Sequence, residues 1–162
     1  MSKLSNHITL KEAYGRSTTA KRLGITNEPD AEQLVRMKAL AENIFEPLRE
    51  AIGKPIFIHS MFRSLALNEA IGGAKNSQHM ANNGAAMDID SQIFGGTTNR
   101  EIFDYIRKNL DFDQLIGEEF TEDGDYEWIH VSYKDEDNRG QVLEMVRSDD
   151  GKATYRVYKE DE

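Results

Sequence analysis

The sequence contains no cysteine, so disulfide bonds and thiolate zinc sites are excluded. Any transition metal must then be held by imidazole and carboxylate groups. Positive charge is also scarce: the net charge is −9, which repels phosphate backbones and predicts no nucleic-acid partner. No apolar run approaches the roughly 20 residues of a membrane span. The N-terminus has no apolar core of signal-peptide length, so we expect synthesis in the cytoplasm and no membrane association.

The composition is ordinary for a globular protein. Hydrophobic residues make up 38% of the chain and charged residues 30%. A length of 162 residues fits one domain, and the chain has no internal repeat, low-complexity tract or linker. We therefore predict a single domain over residues 1–162.

Hydrophobic periodicity predicts helices first and strands later. Thr9 and Glu12 form a plausible capping box before a short helix, and apolar three- and four-residue steps predict a helix over residues 31–52, in which Pro47 is a breaker. Further elements are predicted as a strand at 55–59, helices at 64–71 and from Thr98, and strands at 112–118, 128–133, 142–147 and 153–158. This order predicts an α+β fold in which N-terminal helices pack on a small antiparallel sheet.

Two distant histidines and an aspartate are candidates for a metal site. His79 and Asp88 lie in a segment rich in small residues, and His130 lies in a predicted strand. A catalytic zinc ion takes three protein ligands and keeps a fourth position open for water. Two imidazoles and one carboxylate would leave the ion at a formal charge of +1, acidic enough to activate that water. Spacing alone leaves open that these are ordinary polar or core residues, and His7 and His59 are interpreted as structural.

Four linked motifs follow one another in order: residues 62–68 (FRSLALN), 72–79 (GGAKNSQH), 84–88 (GAAMD) and 128–132 (WIHVS). Together they resemble the zinc D-Ala-D-Ala carboxypeptidase family, which includes phage L-alanyl-D-glutamate endolysins and has the Hedgehog/DD-peptidase fold. Its hallmarks are Ser-x-His, a Gly and an Asp shortly after, and a distant Trp-x-His strand.

The resemblance implies that His79, Asp88 and His130 bind one zinc ion, and that Arg63 and Ser77 face the substrate. Arg63 offers a planar fork of donors to a carboxylate or an oxyanion, although a surface ion pair would also explain it. A helix or turn cap would likewise explain Ser77. Residues 80–83 make the link to the glycine two residues longer than is usual in the family. Asp90, two residues beyond Asp88, is therefore the alternative ligand.

Two glutamates are candidates for the general base that accepts a proton from water. Glu127 lies three residues before His130, but positions three apart in a regular strand point to opposite faces, so it needs a turn or bulge before Trp128. Glu118 ends the preceding strand, and a hairpin would bring it beside His130. Both remain candidates, with Glu118 favoured by strand parity.

These observations predict a monomeric zinc metallopeptidase that hydrolyses peptidoglycan stem peptides. Either D-Ala-D-Ala carboxypeptidase or L-Ala-D-Glu-type endopeptidase activity is compatible with the motifs. Without a signal peptide, such an enzyme would reach the cell wall or periplasm by another route, such as holin-mediated release of a phage endolysin. Two alternatives are a zinc-bearing binding module of the same fold without catalysis, and a binding protein of helices and sheet without metal.

Overall fold

A computed structural model describes residues 2–160 of the chain. The helices are α1 (Thr18–Leu23), α2 (Ala31–Leu40), α3 (Glu46–Ile52), α4 (Leu65–Ala70) and α5 (Asn99–Asn109). The strands are β1 (Lys3–Ser5), β2 (Ile8–Thr9), β3 (Phe57–Ser60), β4 (Ala85–Asp90), β5 (Gln114–Phe120), β6 (Tyr126–Tyr133), β7 (Gln141–Arg147) and β8 (Ala153–Val157). Within residues 2–160, each helix is too short or too polar to span a membrane.

The long helix predicted over residues 31–52 is confirmed. Asp30 and Gln33 form a capping box at its start, and Gly53 ends it in a left-handed conformation. Between α2 and α3 the helix continues as one π-helical stretch, Ala41–Phe45. Pro47 lies two residues after this stretch and has no N–H to donate, so the irregular turn stands where the regular helical hydrogen bond would be lost.

Polar capping residues predicted the starts of three helical elements. The Thr9 hydroxyl accepts a hydrogen bond from the Glu12 N–H, and the Glu12 carboxylate accepts one from the Thr9 N–H, so the predicted capping box forms ahead of the π-helical turn Lys11–Gly15. Ser64 and Thr98 cap α4 and α5 through their hydroxyls. These three helical elements begin where the sequence predicts, whereas α1 was not predicted and β3, β5 and β6 begin two residues away from their predicted starts.

The sheet differs from the prediction in its connections. Six strands lie in the order β3-β4-β6-β5-β7-β8. All neighbouring pairs are antiparallel except β5 and β7, which are parallel. The prediction of a purely antiparallel sheet is therefore wrong at one pair, β5 and β7, whereas β5–β6 and β7–β8 are antiparallel hairpins. Residues 134–140 cross the start of β5 instead of turning back, held there by the Gly140 N–H bond to the Phe112 carbonyl and the Gln141 N–H bond to the Asp113 carbonyl.

The two faces of the sheet have different partners. One face packs on α2, α3 and α5 through fully buried side chains such as Ile89, Ile129 and Val131. Successive side chains of a strand point to opposite faces. Asp88 and His130 therefore project from the other face, away from the helices. The core extends from Leu4 to Tyr158, and a single domain over 1–162, which includes residues outside the described range, stays a prediction.

Candidate metal centre and active site

Two predicted ligands are direct neighbours across two central strands. Asp88 of β4 lies opposite His130 of β6 in the antiparallel register, where side chains on one face are about 5 Å apart. The His130 Nδ1 lies 3.0 Å from Asp88 Oδ1. Strand pairing alone thus brings together residues 42 positions apart in the sequence.

His79 reaches the same point from a short 3-10 turn, Gln78–Met80, which the Ser77 hydroxyl caps. The ring is 3% exposed, and its Nδ1 lies 2.7 Å from the Met61 carbonyl oxygen. A carbonyl can only accept, so Nδ1 carries the proton, and the lone pair of the neutral ring is on Nε2. That Nε2 lies 3.4 Å from Asp88 Oδ2. The backbone therefore fixes the tautomer that a metal ligand requires.

Asp88 is the common partner of both rings. Burial alone would raise its pKa, but His79 and His130 outweigh burial and hold the pKa of this carboxyl well below its usual range. The carboxylate is consequently ionised at neutral pH. An ionised oxygen donor between two imidazoles is a ready metal ligand.

The donor set fits zinc. His79, Asp88 and His130 each offer one ligand atom, and these atoms lie within 4.8 Å of one another. Among residues 2–160 this is the only cluster of three such side chains close enough to share an ion. Two nitrogens and one carboxylate oxygen, with one imidazole held by a backbone carbonyl, match a catalytic zinc site with an open fourth position.

Asp90, the alternative ligand, points to the same face but has other partners. Its Oδ2 lies 2.8 Å from His59 Nε2, and its Oδ1 accepts from the Gln92 N–H and from Asn99. It is buried and fully occupied by these contacts. Asp90 thus stays outside the three-residue cluster, and His59 belongs to this second pair.

The longer link between His79 and the glycine is accommodated by α2. Arg36 donates to the Ala81 carbonyl, and Gln33 donates to the Met80 carbonyl and the Asn82 side chain. Ala81 itself adopts a left-handed conformation with φ 55°. Residues 80–82 are therefore held against α2, and the two ends of the link, His79 and Gly84, stay beside the candidate ligands.

Arg63 and Ser77 lie next to the cluster and contact each other. The Arg63 N–H donates to the His79 carbonyl at 2.9 Å, and its Nη2 donates to the Ser77 hydroxyl at 3.2 Å. Burial lowers the pKa of Arg63, while the Asp88 charge acts to raise it. The buried Nε finds no hydrogen-bond partner among the described residues. Arg63 thus keeps one guanidinium N–H that is not satisfied by the described residues.

Glu118 and Glu127, the two candidates for the general base, point to opposite faces of the sheet. Glu118 lies in β5 opposite Trp128, two positions from Ile116, which faces His130, so its side chain shares the face of the metal cluster. It is 6% exposed, and burial raises its pKa to about 7. Glu127 is exposed and does not line the cavity above the cluster. Which of Glu118 and Glu127 acts as the general base remains a prediction.

The cluster opens into a cavity of about 680 Å³. Sequence reasoning assigned no role to several side chains on its wall. Asp113 is buried and accepts three hydrogen bonds from Arg139, one from its backbone and two from its guanidinium, and one from Gln78. Tyr155 of β8 lies against Glu118. Tyr155 gave no signal in the sequence because two strand pairings, β5 with β7 and β7 with β8, bring it to the cavity.

The fold and the site define a class: an α+β protein with a two-histidine, one-aspartate centre beside a buried glutamate, which is the arrangement of a metallopeptidase. A family model described as Peptidase M15 matches residues 6–132, and the chain belongs to this family. Membership implies a zinc metallopeptidase that acts on peptidoglycan-type substrates. A search of curated proteins found no match. Lys134, Arg139 and Tyr155 lie beyond the matched residues but line the same cavity.

Proposed function

We propose that this chain hydrolyses a peptide bond within peptidoglycan stem peptides, with zinc held by His79, Asp88 and His130. The observation that carries the proposal is the buried Glu118 in the same cavity as these three residues. When bound, zinc would lower the pKa of a water molecule and polarise the carbonyl that this water attacks.

Glu118 is the proposed general base. A carboxylate with a pKa near the working pH accepts a proton readily and also returns it readily, and burial brings the pKa of Glu118 to about 7. It would take a proton from the attacking water, hold it during bond cleavage and deliver it to the leaving amine. Glu127 would have no part in this transfer, since it lies outside the cavity.

Arg63 is the proposed electrophilic partner. Its Nε donor is buried without a partner among residues 2–160, and its side chain lies on the wall of the cavity. A donor held ready in a partly buried site stabilises negative charge that develops on a carbonyl oxygen. Ser77 would keep the guanidinium in position by accepting from Nη2.

The acidic residue in the cavity favours an enzyme over a zinc-bearing binding module, because a structural zinc site has no need of a proton acceptor beside it. The cell wall would be the place of action, reached by release from the cytoplasm. Stem peptides of defined sequence, digested with the zinc-loaded protein and analysed by mass spectrometry, test the proposal. Cleavage products that gain one water support it, and intact peptides after prolonged digestion would contradict it.

A further inference from the structure

A second cavity lies on the other side of Arg63 and Asp88 from the first. It has a volume of about 360 Å³, and Arg63 and Asp88 line both cavities. The second cavity lies between the end of β3 and the segment that leads into α1, with Ser17, Thr18 and His59 on its wall. The proposed reaction centre is thus flanked by space on two sides.

The two cavities extend in opposite directions across the sheet. The first reaches Tyr155 on β8, and the second reaches His59 on β3, and β8 and β3 are the two edge strands. Neighbouring strands are about 4.8 Å apart, so six strands span roughly 24 Å. An extended peptide advances about 3.4 Å per residue, so a segment of about seven residues would fit this width.

The space for a substrate does not end at Arg63. In an enzyme that removes a terminal residue, the guanidinium would bind the terminal carboxylate and the cavity would end there. Here the second cavity continues beyond Arg63 to Thr18 and Ile71, both of which are exposed. A chain that passes Arg63 therefore has an exit to solvent.

From this geometry we infer that the protein is an endopeptidase, and that its substrate continues for at least two residues on both sides of the bond that is cut. This inference rests on the proposed function and specifies its substrate class. The reaction adds one water across an internal amide: the carbonyl side becomes a carboxylate, and the nitrogen side leaves as an amine. No other reactant is needed.

Matched stem peptides distinguish this activity from that of a carboxypeptidase. Each peptide is prepared with a free C-terminal carboxylate and with an amidated C-terminus, and the products are identified by mass spectrometry. We expect the zinc-loaded protein to cut both forms at rates within about threefold, and to release fragments of two or more residues. Release of single C-terminal amino acids, only from the free-carboxylate form, would overturn the inference but leave the proposed function intact. Absence of cleavage of either form would overturn both.

Filling the second cavity tests the path directly. Thr18→Trp adds a large ring at an exposed position on its wall, and Val35→Trp is the control, since Val35 is exposed on α2 and lines neither cavity. We expect Thr18→Trp to lower kcat/KM for the longest stem peptides at least tenfold with unchanged zinc content, and Val35→Trp to have no effect. In a Glu118→Gln background, Thr18→Trp should also weaken binding of the uncleaved peptide about tenfold by calorimetry. Equal affinity and kcat/KM in the two tryptophan variants would overturn the inference.

Discussion

Two aspartates of β4 lie two residues apart on one face of the sheet, and each faces histidine. Asp90 meets His59, and its remaining acceptor capacity is taken by Asn99 and a backbone N–H. Asp88 has two imidazoles as its side-chain partners, His79 and His130. The hydrogen-bond partners of Asp90 are therefore all supplied by the protein. The side-chain partners of Asp88 are two imidazoles, and both can bind the same cation as Asp88. Residue type is the same at both positions, and the difference lies in what the neighbours leave available.

The largest effect is expected on zinc content, which should differ between variants of Asp88 and of Asp90. Asp88→Asn removes the charge of a ligand and should lower zinc affinity by more than the roughly hundredfold that the loss of a supporting residue can cost. Asp90→Asn should keep close to one zinc per chain. Elemental analysis after dialysis against a weak chelator measures both. Equal zinc content in the two variants would show that Asp88 is not a ligand.

The second prediction compares the glutamates. Glu118→Gln should keep zinc and fold but lose about a hundredfold or more in kcat, in line with usual general acid–base contributions. Glu127→Gln should remain near wild type, because Glu127 is exposed and outside the cavity. Single-turnover rates on a stem peptide provide the measurement. Wild-type rates in both variants would refute the proposed proton transfer.

The third prediction concerns Arg63. Arg63→Lys keeps the charge but loses the planar fork that bonds Ser77 and leaves Nε free. We expect kcat/KM to fall about tenfold, or roughly 1.4 kcal/mol of transition-state stabilisation, with zinc content unchanged. Arg22→Lys is a control for arginine replacement, because Arg22 is exposed on α1 and lines neither cavity. An unaltered kcat/KM in Arg63→Lys would reduce Arg63 to a structural residue.

The smallest effect is expected for the contact between His59 and Asp90. The side chain of His59 is 41% exposed, so water competes with its bond to Asp90. His59→Ala should lower the free energy of unfolding by about 1 kcal/mol or less and leave zinc content unchanged. Thermal unfolding with and without chelator measures both quantities. Loss of zinc in this variant would mean that His59, and not only the three predicted ligands, contributes to the metal site.

Local patterns predicted most of the elements. The Thr9–Glu12 capping box, the apolar stripe of residues 31–52 and the late strands depend on neighbours in the sequence. The capping box and the helix stand where they were predicted, and the strands lie within two residues of their predicted bounds. Strand β4 was predicted only conditionally, as an extended alternative. Five of its six side chains are buried, and apolar and polar residues alternate only from Met87 to Asp90, which is the shortest run that indicates a strand. The parallel pairing of β5 and β7 was missed because strand neighbours are chosen by the tertiary packing.

The site was predicted unevenly for the same reason. The family resemblance assigned His79, Asp88 and His130 as ligands, and the register of β4 and β6 brings the latter two together. Strand parity favoured Glu118, which does lie in the cavity. The alternative Asp90 stayed open because sequence does not reveal that Asn99, on another element, occupies its oxygens. Tyr155 was missed because no local pattern predicts which strand becomes an edge.

Crystals grown with zinc and measured at the zinc absorption edge test the central claim most directly. The account predicts one strong anomalous peak per chain, between the ligand atoms of His79, Asp88 and His130, which already lie within 4.8 Å of one another. It also predicts no peak at the pair formed by His59 and Asp90. A map without a peak at the three-residue cluster, or with the ion beside Asp90 instead, would contradict the assignment of this chain's metal centre.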